Sequence, residues 1–150
     1  MTDGLVAILD RMFLDPEYVT LARPLFPGGC SSPEIALTIA AICRTAMEAE
    51  PTECFYVELS VGAVFGIRLS DNRRVALKLH HPSAVHRELA AVANVQRFLY
   101  DHGFPCPYVL RDPFHDGMRT ISFEEWCAPG EERDTSCPEI RDAMARLLAR

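Results

Sequence analysis

Between residues 54 and 80 the hydrophobic period of this chain falls from that of a helix to two. That change limits the fold more than any other feature. Phe55, Val57 and Leu59 alternate with Tyr56, Glu58 and Ser60, and Phe65, Ile67 and Leu69 alternate again. After Ser70-Asp71-Asn72-Arg73, a tetrapeptide of turn-forming residues, Val75, Leu77 and Leu79 alternate a third time. Side chains on a strand point to opposite faces in turn, so each run buries one face. Three such runs with short links predict an antiparallel meander. Val61-Gly62-Ala63-Val64-Phe65-Gly66 joins its first two strands.

The flanks read differently. Leu5, Ile8, Leu9 and Met12 recur near the helical period over Gly4–Leu14. Pro24, Pro27, Gly28 and Gly29 then break the chain. Ser31 or Ser32 is placed to cap a second helix, with Pro33 in its first turn and an end before Pro51. Pro82 and Ser83 open a long helix over about 84–101, which Gly103 and Pro105 close. Tyr108–Leu110 and Arg119–Phe123 predict two further strands around a turn at Phe114–Gly117, and Glu139–Arg150 predicts a final helix. The expected fold class is α+β. A five-stranded antiparallel sheet carries one packed helix, with an N-terminal helical extension over 1–50 and a C-terminal helix.

Composition removes several functions. The 150 residues suffice for one compact domain. There are 15 basic against 21 acidic residues, a net charge of −6, and binders of nucleic acid or of anionic membranes carry a basic excess instead. The longest apolar run, Ala36–Cys43, is far below the roughly 20 residues of a membrane span, and Met1-Thr2-Asp3-Gly4 lacks the basic start of a secretory signal. These features predict a cytoplasmic protein with neither nucleic acid nor membrane among its partners. The six cysteines form no Cys-x-x-Cys and fit no zinc spacing, so free thiols are expected. His81 and His86 are five apart, not the four that stacks two imidazoles on one helical face.

Two charges stand out. Of the 15 basic residues only Lys78 is a lysine. An ammonium is a compact point charge that approaches a phosphate closely, whereas a guanidinium is a planar fork. On a helical wheel Val85, Leu89, Val92, Val95 and Leu99 form an apolar stripe with Glu88 near its middle. A carboxylate on a packing face is costly unless paired. Lys78 shares a strand face with Arg74, Ala76 and His80, opposite Val75, Leu77 and Leu79, and a short link through Pro82 joins that strand to the helix. The expected pair is therefore Lys78 with Glu88. The alternative is a Glu88 solvated at the helix N-terminus, where a carboxylate suits the dipole. Gly62 and Gly66 likewise suit either a plain hairpin with a bulge or a side-chain-free ribbon over phosphates. The ordered set of glycine loop, Val75-Ala76-Leu77-Lys78 and helix-borne acid combines parts of nucleotide handling. Ala76 leaves room for a flat base, Lys78 holds α/β-phosphate oxygens and Glu88 orients Lys78.

With these residues the sequence resembles the N-terminal lobe of the protein-kinase-like fold. It is most similar to the aminoglycoside phosphotransferase and choline-kinase-like families. The resemblance rests on Leu59–Gly66, Val75–Lys78, Arg87–Val92, Gly103-Phe104-Pro105-Cys106-Pro107 and Phe123–Glu131, and covers about residues 54–150. It implies a lobe over 54–127, then a post-hinge loop and first helix of a second lobe over 128–150. ATP would be the cofactor, its phosphates covered by Gly62, Ala63, Val64 and Gly66. Lys78 and Glu88 would form the ion pair, Ala76 would face the base, and the backbone near Glu124, Glu125, Trp126 and Cys127 would meet adenine. Ser60 stands where protein kinases carry their first glycine, and the ten residues from Lys78 to Glu88 are a short spacing.

Transfer of a phosphoryl group to a hydroxyl also needs a catalytic Asp and Mg²⁺ ligands at the phosphates. The resemblance places these in the second lobe, as a His-x-Asp loop, a following Asn and a later Asp. The 150 residues hold no convincing counterpart: His115-Asp116 lies in a turn with no Asn after it, and Asp101-His102-Gly103 ends a helix. The expected function is thus the ATP-binding lobe of a small-molecule phosphotransferase, inactive by itself. The alternatives are a non-catalytic interaction module that self-associates through its exposed inter-lobe face, and an unrelated α+β domain in which Gly62, Lys78 and Glu88 are structural.

Overall fold

The computed structural model describes residues 1–127 and, beyond them, Asp142, Ala145 and Arg146, which are helical. The segment expected to hold the post-hinge loop and final helix otherwise lies outside the described residues. Helices α1 (Thr2–Met12), α2 (Pro16–Ala22) and α3 (Ser32–Met47) precede strands β1 (Pro51–Leu59), β2 (Ala63–Leu69) and β3 (Arg74–Leu79). Helix α4 (His86–Asp101) and strands β4 (Val109–His115) and β5 (Thr120–Glu125) follow. The sheet has five strands in the order β1-β2-β3-β5-β4, and every neighbouring pair is antiparallel. The class is α+β, as expected.

Local chemistry sets the boundaries. Asp15 caps α2 through its carboxylate, which accepts from the Glu17 amide at 2.9 Å, and Pro16 supplies the first-turn proline. This short helix was not foreseen, although Asp15-Pro16 is a start signal. Ser31 and Glu34 form a capping box at α3, and Glu48, with φ of 54°, ends that helix in the left-handed region. The β2–β3 turn falls where predicted. Asn72 takes φ of 68°, and the Asp71 carboxylate accepts the Arg73 amide at 3.0 Å. Helix α4 starts two residues after the predicted position, because the Ser83 hydroxyl bonds His81 Nδ1 at 2.7 Å and caps nothing. Strand β4 runs five residues beyond the predicted Leu110. It includes Pro113, which a sheet accommodates at an edge, and β4 is an edge strand.

The core lies on one face of the sheet. Phe65, Ile67, Val75, Leu77, Leu79, Ile121 and Phe123 pack with Leu5 and Leu9 of α1 and Ile35, Ile39 and Cys43 of α3. Residues 1–50 therefore share a single core with the sheet. Helix α4 lies on the opposite face, where it packs chiefly against β4.

Candidate functional site

The pleat of β3 sorts its side chains as the sequence predicts. Val75, Leu77 and Leu79 enter the core, and Lys78 and His80 are half-buried on the other face. Register then decides their neighbours. Lys78 lies opposite Val64 of β2 and Ser122 of β5, while Ala76 lies opposite Gly66 and Glu124. Glu124, two residues beyond Ser122, is therefore on the Lys78 face and one diagonal step away. Lys78 Nζ donates to Glu124 Oε2 at 2.7 Å. The Glu124 side chain is 10% exposed and that of Lys78 34%. This is the one hydrogen bond of the ammonium among the described residues, and an ammonium has three donors.

The partner of Lys78 is thus Glu124 and not Glu88, which corrects the sequence expectation. Glu88 sits in the first turn of α4, exposed to solvent, where the positive end of the helix dipole suits it. The spacing that places Glu88 with Val92 and Val95 is sound. That face, however, borders an open cleft and is not packed tightly: Val92 and Val95 are 60% and 58% exposed, and the buried residue of α4 is Ala93. Leu89, Val92 and Ala93 border, with His80 and Ser122, a void of only about 40 Å³. The small side chain of Ala93 lets the helix approach closely. Glu124 lay within the hinge resemblance, but its role was not foreseen. Its signal was parity: Ser122 and Glu124 alternate with Ile121 and Phe123, which belong to the core.

Beside the pair opens a cleft of about 530 Å³, with Lys78 and Glu124 on one wall and Val92, Val95 and Leu99 of α4 on the other. Cys106 and Pro107 help to line it. Of the residues expected near a nucleotide, Lys78 and Glu124 line this cleft, and Gly62, Gly66, Ala76 and Glu88 do not. His80 Nε2 pairs with Ser122 Oγ at 2.9 Å. Burial, reinforced by the Lys78 charge and opposed by Glu124, holds its imidazole below the ordinary histidine pKa.

The glycine ribbon is tightly built. A Cβ on Gly62 would lie 2.6 Å from the Leu79 carbonyl oxygen, so the backbone can approach β3 only without a side chain. The Ser60 amide donates to the Gly62 carbonyl at 2.8 Å and closes the turn. The Ala63 methyl lies in the core, on the face away from Lys78. Gly66 makes room for its aromatic neighbours: a Cβ there would meet Phe55, Tyr56 and Trp126 within 3 Å. The Trp126 indole packs edge-on to Phe55 at 5.0 Å and tilted against Tyr56 at 5.1 Å. Its amide donates to the Arg74 carbonyl at 3.0 Å, and the Arg74 guanidinium stacks over Phe55 at 4.3 Å. Glu125 and Cys127 are exposed at the end of β5 and just past it.

The cysteines are free among the described residues. Burial pushes the Cys43 thiol up to about 12 and that of Cys54 up to about 11, so both stay protonated and unreactive. No helix among the described residues is long and apolar enough to cross a membrane. No protein-family model matches the chain, and no curated protein matches it significantly.

Proposed function

We propose that the chain is the ATP-binding lobe of a small-molecule phosphotransferase, similar to the aminoglycoside phosphotransferase and choline-kinase-like enzymes. The observation that carries this reading is Lys78. It stands beside Ala76 on the face of the sheet away from the core, held by Glu124 through one donor and bordering an open cleft with the rest. An ammonium so placed binds α/β-phosphate oxygens with its remaining donors, and Glu124 takes the orienting role expected of Glu88. The antiparallel sheet with one helix between its third and fourth strands supports the reading, as does the glycine required at position 62. Mg²⁺ and the base that deprotonates the acceptor hydroxyl belong to a second lobe. Among the described residues, no group of three or more His, Cys, Asp or Glu could hold a metal ion.

Calorimetric titration with ATP tests this. The wild type is expected to bind weakly. Lys78→Met should lose about tenfold or more, the worth of a hydrogen bond between charged groups, while Glu88→Gln binds like the wild type. Equal affinity in wild type and Lys78→Met would end the phosphate role.

A second reading, a non-catalytic interaction module, rests on α4. Val92, Val95 and Phe98 are each more than half exposed, more apolar surface on one helix than a solvated face requires. It predicts concentration-dependent self-association in light scattering, and a monomer at all concentrations would refute it.

A further inference from the structure

On the far side of the molecule, Arg119 is buried and under-bonded. It is 3% exposed and precedes β5 in the β4–β5 turn. Its Nε donates to Asp116 Oδ2 at 3.2 Å. The other Asp116 oxygen is taken by the Met118 and Arg119 amides at 2.9 and 3.0 Å. Asp116 therefore grips the guanidinium by one nitrogen and does not form the two-pronged pair of which the groups are capable. Nη1 is sealed from solvent with no hydrogen-bond partner among the described residues. The Phe26 ring, 5.0 Å from Cζ, offers a π face but no lone pair. With Nε on Asp116 and Nη1 sealed, Nη2, which has no hydrogen bond among the described residues, is the nitrogen left for an acceptor in the cavity that Arg119 lines.

Arg119 also lines a cavity of about 370 Å³, at the lower end of the range for small-molecule pockets. Pro27, Gly28 and Gly29 form one side of it, the first turns of α3 a second, and Asp116 and Met118 a third. Glu34 brings a carboxylate to this cavity. It is fixed there by the Ser31 amide and hydroxyl at 3.2 and 2.5 Å, and it lies where a Gly29 Cβ would stand. Leu37 and Met118, both more than half exposed, give the rim an apolar character.

The charges discriminate between ligands. A simple anion would satisfy Arg119 but face two carboxylates, Glu34 and Asp116. A simple cation would satisfy Glu34 and leave the guanidinium short of an acceptor. A small zwitterion meets both needs, and the apolar rim suits an aliphatic side chain. We propose that this cavity binds a free α-amino acid with an apolar side chain, its carboxylate on Arg119 and its ammonium on Glu34. The proposal is independent of the reading of Lys78.

Calorimetry on the full chain tests it with L-leucine, N-acetyl-L-leucine and L-leucine methyl ester. Leucine should bind saturably at millimolar concentrations or below. Each blocked analogue should bind about tenfold more weakly or worse, since each lacks one charged contact. Glu34→Gln keeps a capping-box residue at that position, so the helix start survives. It should weaken leucine by a similar factor and leave N-acetyl-leucine unchanged. Arg119→Gln should abolish binding, but burial puts its folding at risk, so the analogues and Glu34→Gln carry the decision. No saturable binding of leucine to the wild type would overturn the proposal. So would equal binding of leucine and N-acetyl-leucine, or a Glu34→Gln variant that binds leucine as the wild type does.

Discussion

The two faces of the sheet are built on opposite terms. One is closed: α1 and α3 cover it, and Phe65, Leu77 and Phe123 are wholly buried there. The other is half open. Helix α4 touches it through Leu89 and Ala93, leaving a cleft and a polar row of Lys78, His80, Ser122 and Glu124. The strands between them are the same, so the difference comes from what lies on each face. The closed face buries the apolar side chains, and the open face pairs its polar groups with one another and leaves a cleft beside them. A site that must remain accessible cannot also be the core, and here the pleat alone separates the two.

The contrast can be broken in order of effect. Phe123→Ala on the closed face is expected to cost about 3–5 kcal/mol in urea unfolding, as truncation of a fully buried aromatic does. A cost below about 1 kcal/mol would mean that the closed face is not the core. Gly62→Ala forces a methyl onto the Leu79 carbonyl and should cost about 1–3 kcal/mol. A neutral result there would remove the close approach of the ribbon to β3.

On the open face, Lys78→Met leaves Glu124 buried without its partner. Because Lys78 is about one-third exposed, solvent screening reduces the loss to about 1–2 kcal/mol. A double-mutant cycle sharpens the point. Lys78→Met with Glu124→Gln should show coupling of about 0.5–1 kcal/mol, and Lys78→Met with Glu88→Gln none within error. Coupling to Glu88 instead would restore the pair the sequence suggested.

The smallest effect concerns His80. Its folded pKa lies below the unfolded value of about 6.5, so the unfolded state binds the proton more readily. The stability His80 confers is full above that value and is lost as pH falls through the lower folded pKa. Melting temperature should therefore drop between pH 7.5 and 5.5, and His80→Gln should flatten that part of the profile. An unchanged slope in the variant would place the titration elsewhere.

The sequence by itself determined the elements whose chemistry is local. The alternating runs gave three meander strands, but β1 begins at Pro51 and a register shift between Cys54 and Tyr56 puts Cys54 in the core and leaves Phe55 out of it. Ser70–Arg73 gave the turn, Ser31 or Ser32 with Pro33 the start of α3, and the parity of β3 set Lys78 apart from Leu77 and Leu79. Each of these depends on neighbours a few residues away, which a linear reading contains. Helix α2 was written in Asp15-Pro16 but too short to stand out, and β4 was hidden by a proline that only an edge position tolerates.

Tertiary structure decided which residues meet. The sheet order brings β5 against β3, so Glu124, 46 residues from Lys78, reaches it at 2.7 Å. The small side chain of Ala93, rather than the larger valines, turned α4 so that Glu88 faces solvent. The helical wheel gives the phase of residues on a helix but not the direction in which the helix faces. That direction depends on the surface it packs against, which strands distant in sequence assemble.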